Sequence, residues 1–160
     1  MTKVYIGLGA NLNAPVTQLK CALDSLSRLP HTQVHACSQL YGSKPMGPQD
    51  QPDYVNAVAC LETALEAEAL LDSLQTIELE QGRERKDERW GPRTLDLDIL
   101  LFGNQVIDTK RLTVPHYGLR QREFVVYPLL EIAPDLVLPN GEALADICKN
   151  VPLNDLTPLK

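Results

Sequence analysis

Leu95-Asp96-Leu97-Asp98-Ile99-Leu100-Leu101-Phe102 alternates apolar and acidic residues and then becomes wholly apolar. A period of two belongs to a strand, because successive strand side chains point to opposite faces. Leu95, Leu97 and Ile99 therefore face a core, while Asp96 and Asp98 share the other face with Cα atoms ~6.5 Å apart. Two carboxylates held together on a rigid element suit a hard divalent cation, and Mg²⁺ commonly takes one or two carboxylates plus substrate phosphates. An isolated acidic pair equally suits the solvated side of an edge strand.

The residues just upstream bear on that choice. Between Arg83 and Arg93 stand five basic residues, Arg83, Arg85, Lys86, Arg89 and Arg93, and Arg111, Arg120 and Arg122 follow later. Guanidinium groups keep their charge and bind phosphate oxygens in pairs, so beside a metal pair they would neutralise a triphosphate. Taken alone, the stretch also reads as a solvated loop balanced by Glu84, Asp87 and Glu88. Gly91-Pro92 and the lack of an apolar period predict a loop here. Trp90, the only tryptophan, needs a ligand or a closing loop to cover its apolar area in so polar a segment.

Working back toward the N-terminus, Lys3 to Leu8 alternates as a first strand and runs into Gly9-Ala10-Asn11, read as a turn. Pro15 opens a helix over about residues 15–29, with Val16, Leu19, Leu23 and Leu26 on one stripe. Val34 to Tyr41 reads as a second strand, and Gly42 to Asp53 as a long surface loop. Tyr54 to Leu61 is a third strand, with Val55, Ala57, Ala59 and Leu61 toward the core and Tyr54, Asn56 and Val58 opposite. Leu70, Leu71, Leu74 and Ile77 define a helix over 65–81 that Gly82 can stop. After the acidic strand, Gly103-Asn104 is a hairpin-type turn into Val106-Ile107, and the last fifty residues mix short helical patches with prolines. Strand, helix, strand, strand, helix, strand is the split βαβ plan, so the expected fold is α+β: a ferredoxin-like βαββαβ sandwich with helices on one side of an antiparallel sheet, plus C-terminal additions.

At 160 residues with 44% apolar content the chain is expected to form one domain, residues 1–160. The N-terminus carries no apolar run of signal-peptide or membrane-span length, which points to the cytoplasm and away from a membrane partner. Cys21, Cys37, Cys60 and Cys148 lie far apart and read as reduced packing residues. A net charge of −6 argues against nucleic-acid binding. No GxxxxGK[ST], GxGxxG or GxSxG is present, so a kinase built on this chain is not of the P-loop kind. The three histidines show no zinc-ligand spacing. Tyr54 and Asn56 offer a stacking plane and an amide on one strand face, as a flat nitrogen heterocycle would use, although such a pair is also ordinary on a solvent-facing strand.

Arg89-Trp90-Gly91-Pro92-Arg93-Thr94-Leu95-Asp96-Leu97-Asp98-Ile99-Leu100 resembles the signature of the 6-hydroxymethyl-7,8-dihydropterin pyrophosphokinases. Gly9-Ala10-Asn11-Leu12, Gly47-Pro48-Gln49-Asp50-Gln51-Pro52-Asp53-Tyr54 and Arg111-Leu112-Thr113-Val114-Pro115-His116-Tyr117 extend the resemblance over nearly the whole chain, in the short, single-domain enterobacterial form. The resemblance implies a ferredoxin-like fold, two Mg²⁺ ions on Asp96 and Asp98, ATP as co-substrate and a monomer. It implies catalytic roles for Arg83, Arg93, Asp96 and Asp98. Its ATP contacts fall on Gln75, Glu78, Arg85, Trp90, Arg93, Ile99, Arg111, Thr113, His116, Tyr117 and Arg122. Its pterin contacts fall on Ser43, Pro45, Met46, Tyr54, Asn56, Trp90 and Phe124. Where relatives read Thr-Pro-Pro-Leu, this sequence reads Ser43-Lys44-Pro45-Met46.

The implied reaction is attack of the pterin hydroxyl on the β-phosphorus of ATP, releasing AMP, with positioning and charge neutralisation supplying most of the catalysis. Two other readings stay open on the residues alone. One is simple γ-phosphoryl transfer to another hydroxyl, and the other is a nucleotide-holding module without turnover.

Overall fold

A nine-residue strand, β1 (Thr2–Ala10), forms the middle of the sheet and is followed by α1 (Pro15–Ser27), β2 (Thr32–Cys37), β3 (Tyr41–Ser43), β4 (Tyr54–Thr63), α2 (Ala67–Gln81) and β5 (Asp96–Phe102). Then come the short β6 (Ile107–Asp108) and β7 (Thr113–Val114), α3 (Glu123–Ile132), α4 (Leu144–Cys148) and β8 (Thr157–Pro158). The computed structural model describes residues 1–10, 15–43, 54–81, 95–154 and 156–159. The sheet runs β5-β1-β4-β3-β8, with β2 also paired to β4, and every pairing is antiparallel. Among the described residues no helix is long and apolar enough to cross a membrane.

The class expected from the sequence, α+β with helices on an antiparallel sheet, is the one observed. One face of the sheet presents Val4, Ile6 and Leu8 of β1, Val55, Ala57, Ala59 and Leu61 of β4, and Leu97 and Ile99 of β5 to the apolar stripes of α1 and α2. Pro15 stands at the first position of α1, where its missing N–H costs nothing.

Helices do not keep to one side, however. Tyr5, Val58, Cys60, Leu100 and Leu101 build a second core on the opposite face, covered by Val125, Val126 and Leu129 of α3 and by Leu144 and Ile147 of α4. A bulge in β5 makes this possible. Tyr5 pairs with Leu101 and Ile6 with Ile99, so Leu100 is the extra residue. Leu100 and Leu101 then both reach the second core before Phe102 returns to the first.

Three local expectations also change. Gly9 and Ala10 are not a turn but the end of β1, laddered to Asn56 and Val55. The single strand expected over 34–41 is two, because the chain kinks at Ser38–Leu40 and the Ser38 Oγ accepts the Val58 N–H at 3.0 Å in place of a ladder carbonyl. Gly103 makes the expected turn at φ +56°, the left-handed region that glycine adopts without strain, and its N–H donates to Lys3 O at 2.8 Å. Ile107 nevertheless pairs with Val114 of β7 rather than with β5.

Candidate active site

α3 covers only part of its sheet face. At the uncovered end lies a cavity of about 410 Å³, floored by β1, β4 and β5 and walled by the start of α3. Register sets the floor in rows. Asp98 pairs with Gly7, which pairs with Val58; in the next row Asp96 pairs with Gly9, Gly9 with Asn56, and Asn56 with Tyr41. Directly opposed side chains share a face, so Asp96, Asp98 and Asn56 all face the cavity, and Tyr54 and Ser43, paired at its edge, complete that side.

Two glycines, Gly7 and Gly9, line the floor. A Cβ on Gly9 would sit 2.7 Å from Asn56 Nδ2, whereas one on Gly7 would make only ordinary contact with the Leu100 side chain at 3.4 Å. Asn56 in turn donates to Leu8 O at 3.4 Å. Sequence reasoning missed both glycines as site residues, since a glycine in a strand announces itself only through the register of its neighbours.

β5 is the sheet's edge beside β1, and two of its backbone groups bond outward. Leu97 N–H donates to Glu78 Oε2 of α2 at 2.7 Å, and Leu100 O accepts His116 N–H at 3.0 Å. Glu78 is only 5% exposed. The acidic pair is thus pinned from both sides.

His116 is the group that composition and spacing had set aside. Its side chain is 13% exposed, with Nε2 4.0 Å from Asp98 Oδ2. Nδ1 accepts the Gly118 N–H at 3.0 Å, which leaves the proton of the neutral ring on Nε2, toward Asp98 and the cavity. Burial holds its pKa below the ordinary imidazole value; Asp98 opposes that shift and Arg122 adds to it. The ring stacks on Tyr117 with centroids 4.5 Å apart, and the Arg122 guanidinium lies 5.1 Å over Tyr117 and 5.7 Å over Phe124. Arg122 and Phe124 line the cavity mouth.

The remaining expected residues divide into three groups. Ile99 lies on the same strand, but its side chain is in the core beneath the sheet, so only its backbone can meet a ligand. Gln75, Arg111, Thr113 and Tyr117 do not line the cavity. Arg111 instead lies against α2, 2.5 Å from Asp72 and 3.5 Å from Glu68, with Gln75 Oε1 at 3.4 Å. Pro45, Met46, Arg83, Arg85, Trp90 and Arg93 fall outside the described residues.

Among the described residues no three His, Cys, Asp or Glu side chains gather as a closed metal-ligand set. The pair Asp96 and Asp98, one half-buried and one exposed, instead leaves most of a coordination shell to water and phosphate oxygens, and that donor set fits Mg²⁺. One cavity is thus lined by a carboxylate pair on β5, an amide on β4 and the rings of Tyr54 and Phe124.

Fold and site together define a transferase of the kinase class that is not built on a P-loop. The chain belongs to the 7,8-dihydro-6-hydroxymethylpterin-pyrophosphokinase (HPPK) family, whose profile matches residues 5–134. It is 58% identical to the 2-amino-4-hydroxy-6-hydroxymethyldihydropteridine pyrophosphokinase of Haemophilus influenzae, covering 93% of this chain and 92% of that protein. It is 55% identical to the enzyme of the same name from Pseudomonas aeruginosa, covering 98% and 96%. Among solved structures, a Plasmodium falciparum HPPK-DHPS triple mutant superposes with a TM-score of 0.73 at 13% identity, over 93% of this chain. This chain spans 44% of that two-part protein's length, and at such identity the likeness is one of fold.

Proposed function

We propose that this protein transfers a pyrophosphoryl group from ATP to the hydroxymethyl group of 6-hydroxymethyl-7,8-dihydropterin, giving AMP and the pterin diphosphate, a step in folate biosynthesis. The observation that carries the reading is the row Asp96, Gly9, Asn56 across the floor of one cavity, in a chain of this family. It supports placing the heterocycle on β4 and the phosphates on β5.

In this reading Asn56 pairs with the pterin edge, Tyr54 and Phe124 flank the ring, and Ser43, Pro45, Met46 and Trp90 close around it. Glu78, Ile99, His116 and Arg122 meet ATP from β5 and its neighbours. Gln75, Arg85, Trp90, Arg93, Arg111, Thr113 and Tyr117 complete that side; Arg111 exchanges its exposed carboxylate partners for the nucleotide, a small cost for an exposed pair. The Nε2–H of His116 points toward Asp98 and donates to a phosphate oxygen there. Asp96 and Asp98 would hold the metal, proposed as two Mg²⁺ ions, which supply charge neutralisation along the triphosphate.

The pterin oxygen attacks the β-phosphorus in line, the bond from that phosphorus to the α,β-bridging oxygen breaks, and its electron pair leaves on AMP. The hydroxyl proton passes to solvent. Arg83 and Arg93 stabilise charge on the moving phosphates, where exclusion of water strengthens charged hydrogen bonds.

The strand order β5-β1-β4-β2 supports reading the sheet as ferredoxin-like, with β3, β8 and the second helical layer added to it. Relatives covered over 92–96% of their length support reading residues 1–160 as one pyrophosphokinase domain. A monomer in the cytoplasm, without nucleic-acid or membrane partners, belongs to the same proposal.

Incubation with Mg·ATP and the reduced pterin, followed by chromatography of the nucleotides, tests the function. AMP is expected. ADP would indicate simple phosphoryl transfer, and bound ATP without product would indicate a binding module.

A further inference from the structure

The wall of the cavity that carries Ser43 is slight. β3 has three residues, pairing Tyr41 with Asn56, Gly42 with Val55 and Ser43 with Tyr54, and its outer edge meets β8 at only two positions. The chain enters β3 through the kink at Ser38–Leu40, where Ser38 N–H donates to Val58 O at 2.8 Å, Ser38 Oγ accepts the Val58 N–H at 3.0 Å and Leu40 O accepts the Leu159 N–H at 2.8 Å. So short and kinked a strand depends on further contacts to place its side chains.

Glu131, near the C-terminal end of α3, supplies two bonds at this point. Its Oε2 accepts the Gln39 N–H at 3.0 Å, and its Oε1 accepts a hydrogen bond from the Tyr41 hydroxyl. Tyr41 is 9% exposed and stands beside Asn56 in the register. Burial first, then the hydrogen bond and charge of Glu131, raise the Tyr41 pKa, so the phenol remains a donor. One carboxylate therefore ties both the kink and the first residue of β3 to α3, the helix that also brings Phe124 to the cavity.

We infer that Glu131 is a positioning residue for the pterin: by bracing β3 through Gln39 and Tyr41 it fixes Ser43 and Asn56 for the ring, without touching substrate. The inference rests on the function proposed above. Asp96 and Asp98 lie three strands from β3, on β5 with β1 and β4 between, so the carboxylates of the ATP side are remote from the brace.

Steady-state kinetics of Glu131→Ala, Glu131→Gln and Tyr41→Phe test it. Glu131→Ala is expected to raise the KM for the pterin about tenfold while kcat and the KM for ATP stay within about twofold. Glu131→Gln, which can accept from Gln39 and donate to the Tyr41 oxygen, is expected to restore it. Tyr41→Phe removes one bond and keeps the packed ring; a rise of about threefold is expected, and it decides the question if Glu131→Ala does not fold. An unchanged pterin KM, or an equal rise in the KM for ATP, would overturn the positioning role. A wild-type protein that forms no AMP with the pterin would overturn the function itself, and the inference with it.

Discussion

Asn56 and Asp96 stand in one row of the sheet, on β4 and β5, with Gly9 of β1 between them. Two inter-strand spacings put their backbones about 9–10 Å apart. That span accommodates a bicyclic ring lying over glycine, with its substituent directed at the carboxylate. Gly9→Ala brings a Cβ to 2.7 Å from the Asn56 amide, which has to swing away. The pterin KM is expected to rise at least tenfold, with ATP affinity retained; isothermal titration with each substrate separates the two effects.

Asp96 and Asp98 project from a strand whose packing comes from Leu97 and Ile99 on the other face. Removing either carboxylate is expected to lower kcat about 10²- to 10³-fold while changing stability by no more than about 0.5 kcal/mol. Rate assays and urea unfolding of Asp96→Ala and Asp98→Ala check both parts. The double variant is expected to lose little more than the worse single one, because the two act as a unit.

Glu78 is a buried acceptor for the Leu97 N–H, and Leu97 lies between the two aspartates. Glu78→Ala leaves that donor in a dry site and is expected to cost about 2 kcal/mol of stability as well as activity. Glu78→Gln keeps an acceptor oxygen and is expected to recover most of the stability. Urea midpoints of the two variants measure the difference.

The His116 pKa, held down chiefly by burial, makes acid destabilising. In the unfolded chain an imidazole takes its proton near pH 6.5, and in the folded protein only at a lower pH. Between those values the unfolded state binds more protons, so stability is full above about pH 6.5 and is lost as the pH falls toward the folded pKa. Thermal unfolding of wild type and His116→Gln from pH 7.5 to 5 is expected to show a steeper loss in the wild type.

The acidic strand and the two helices of the first core were legible because each rests on a local period: two for Asp96 and Asp98, three to four for Leu19, Leu26, Leu70 and Leu74. The second core was not. Val58-Ala59-Cys60-Leu61 and Ile99-Leu100-Leu101-Phe102 are apolar throughout, the pattern of strands covered on both faces, but the short helical patches that cover the second face carry no clear stripe, and the Leu100 bulge shifts the parity midway. The split at Ser38–Leu40 depends on a hydroxyl standing in for a carbonyl across 20 residues. Asp98 and His116 were seen separately, but their approach depends on the hydrogen bond from His116 N–H to Leu100 O, which no spacing encodes. Glu131 and Tyr41 lie 90 residues apart, and nothing local marks either.

The most direct test of pyrophosphoryl transfer follows the β-phosphorus. With Mg·ATP labelled with ³²P at the β-position and 6-hydroxymethyl-7,8-dihydropterin, the label is expected to appear in the pterin product and to be absent from AMP. Label retained in the nucleotide pool as ADP, with the pterin unlabelled, would contradict the proposed reaction.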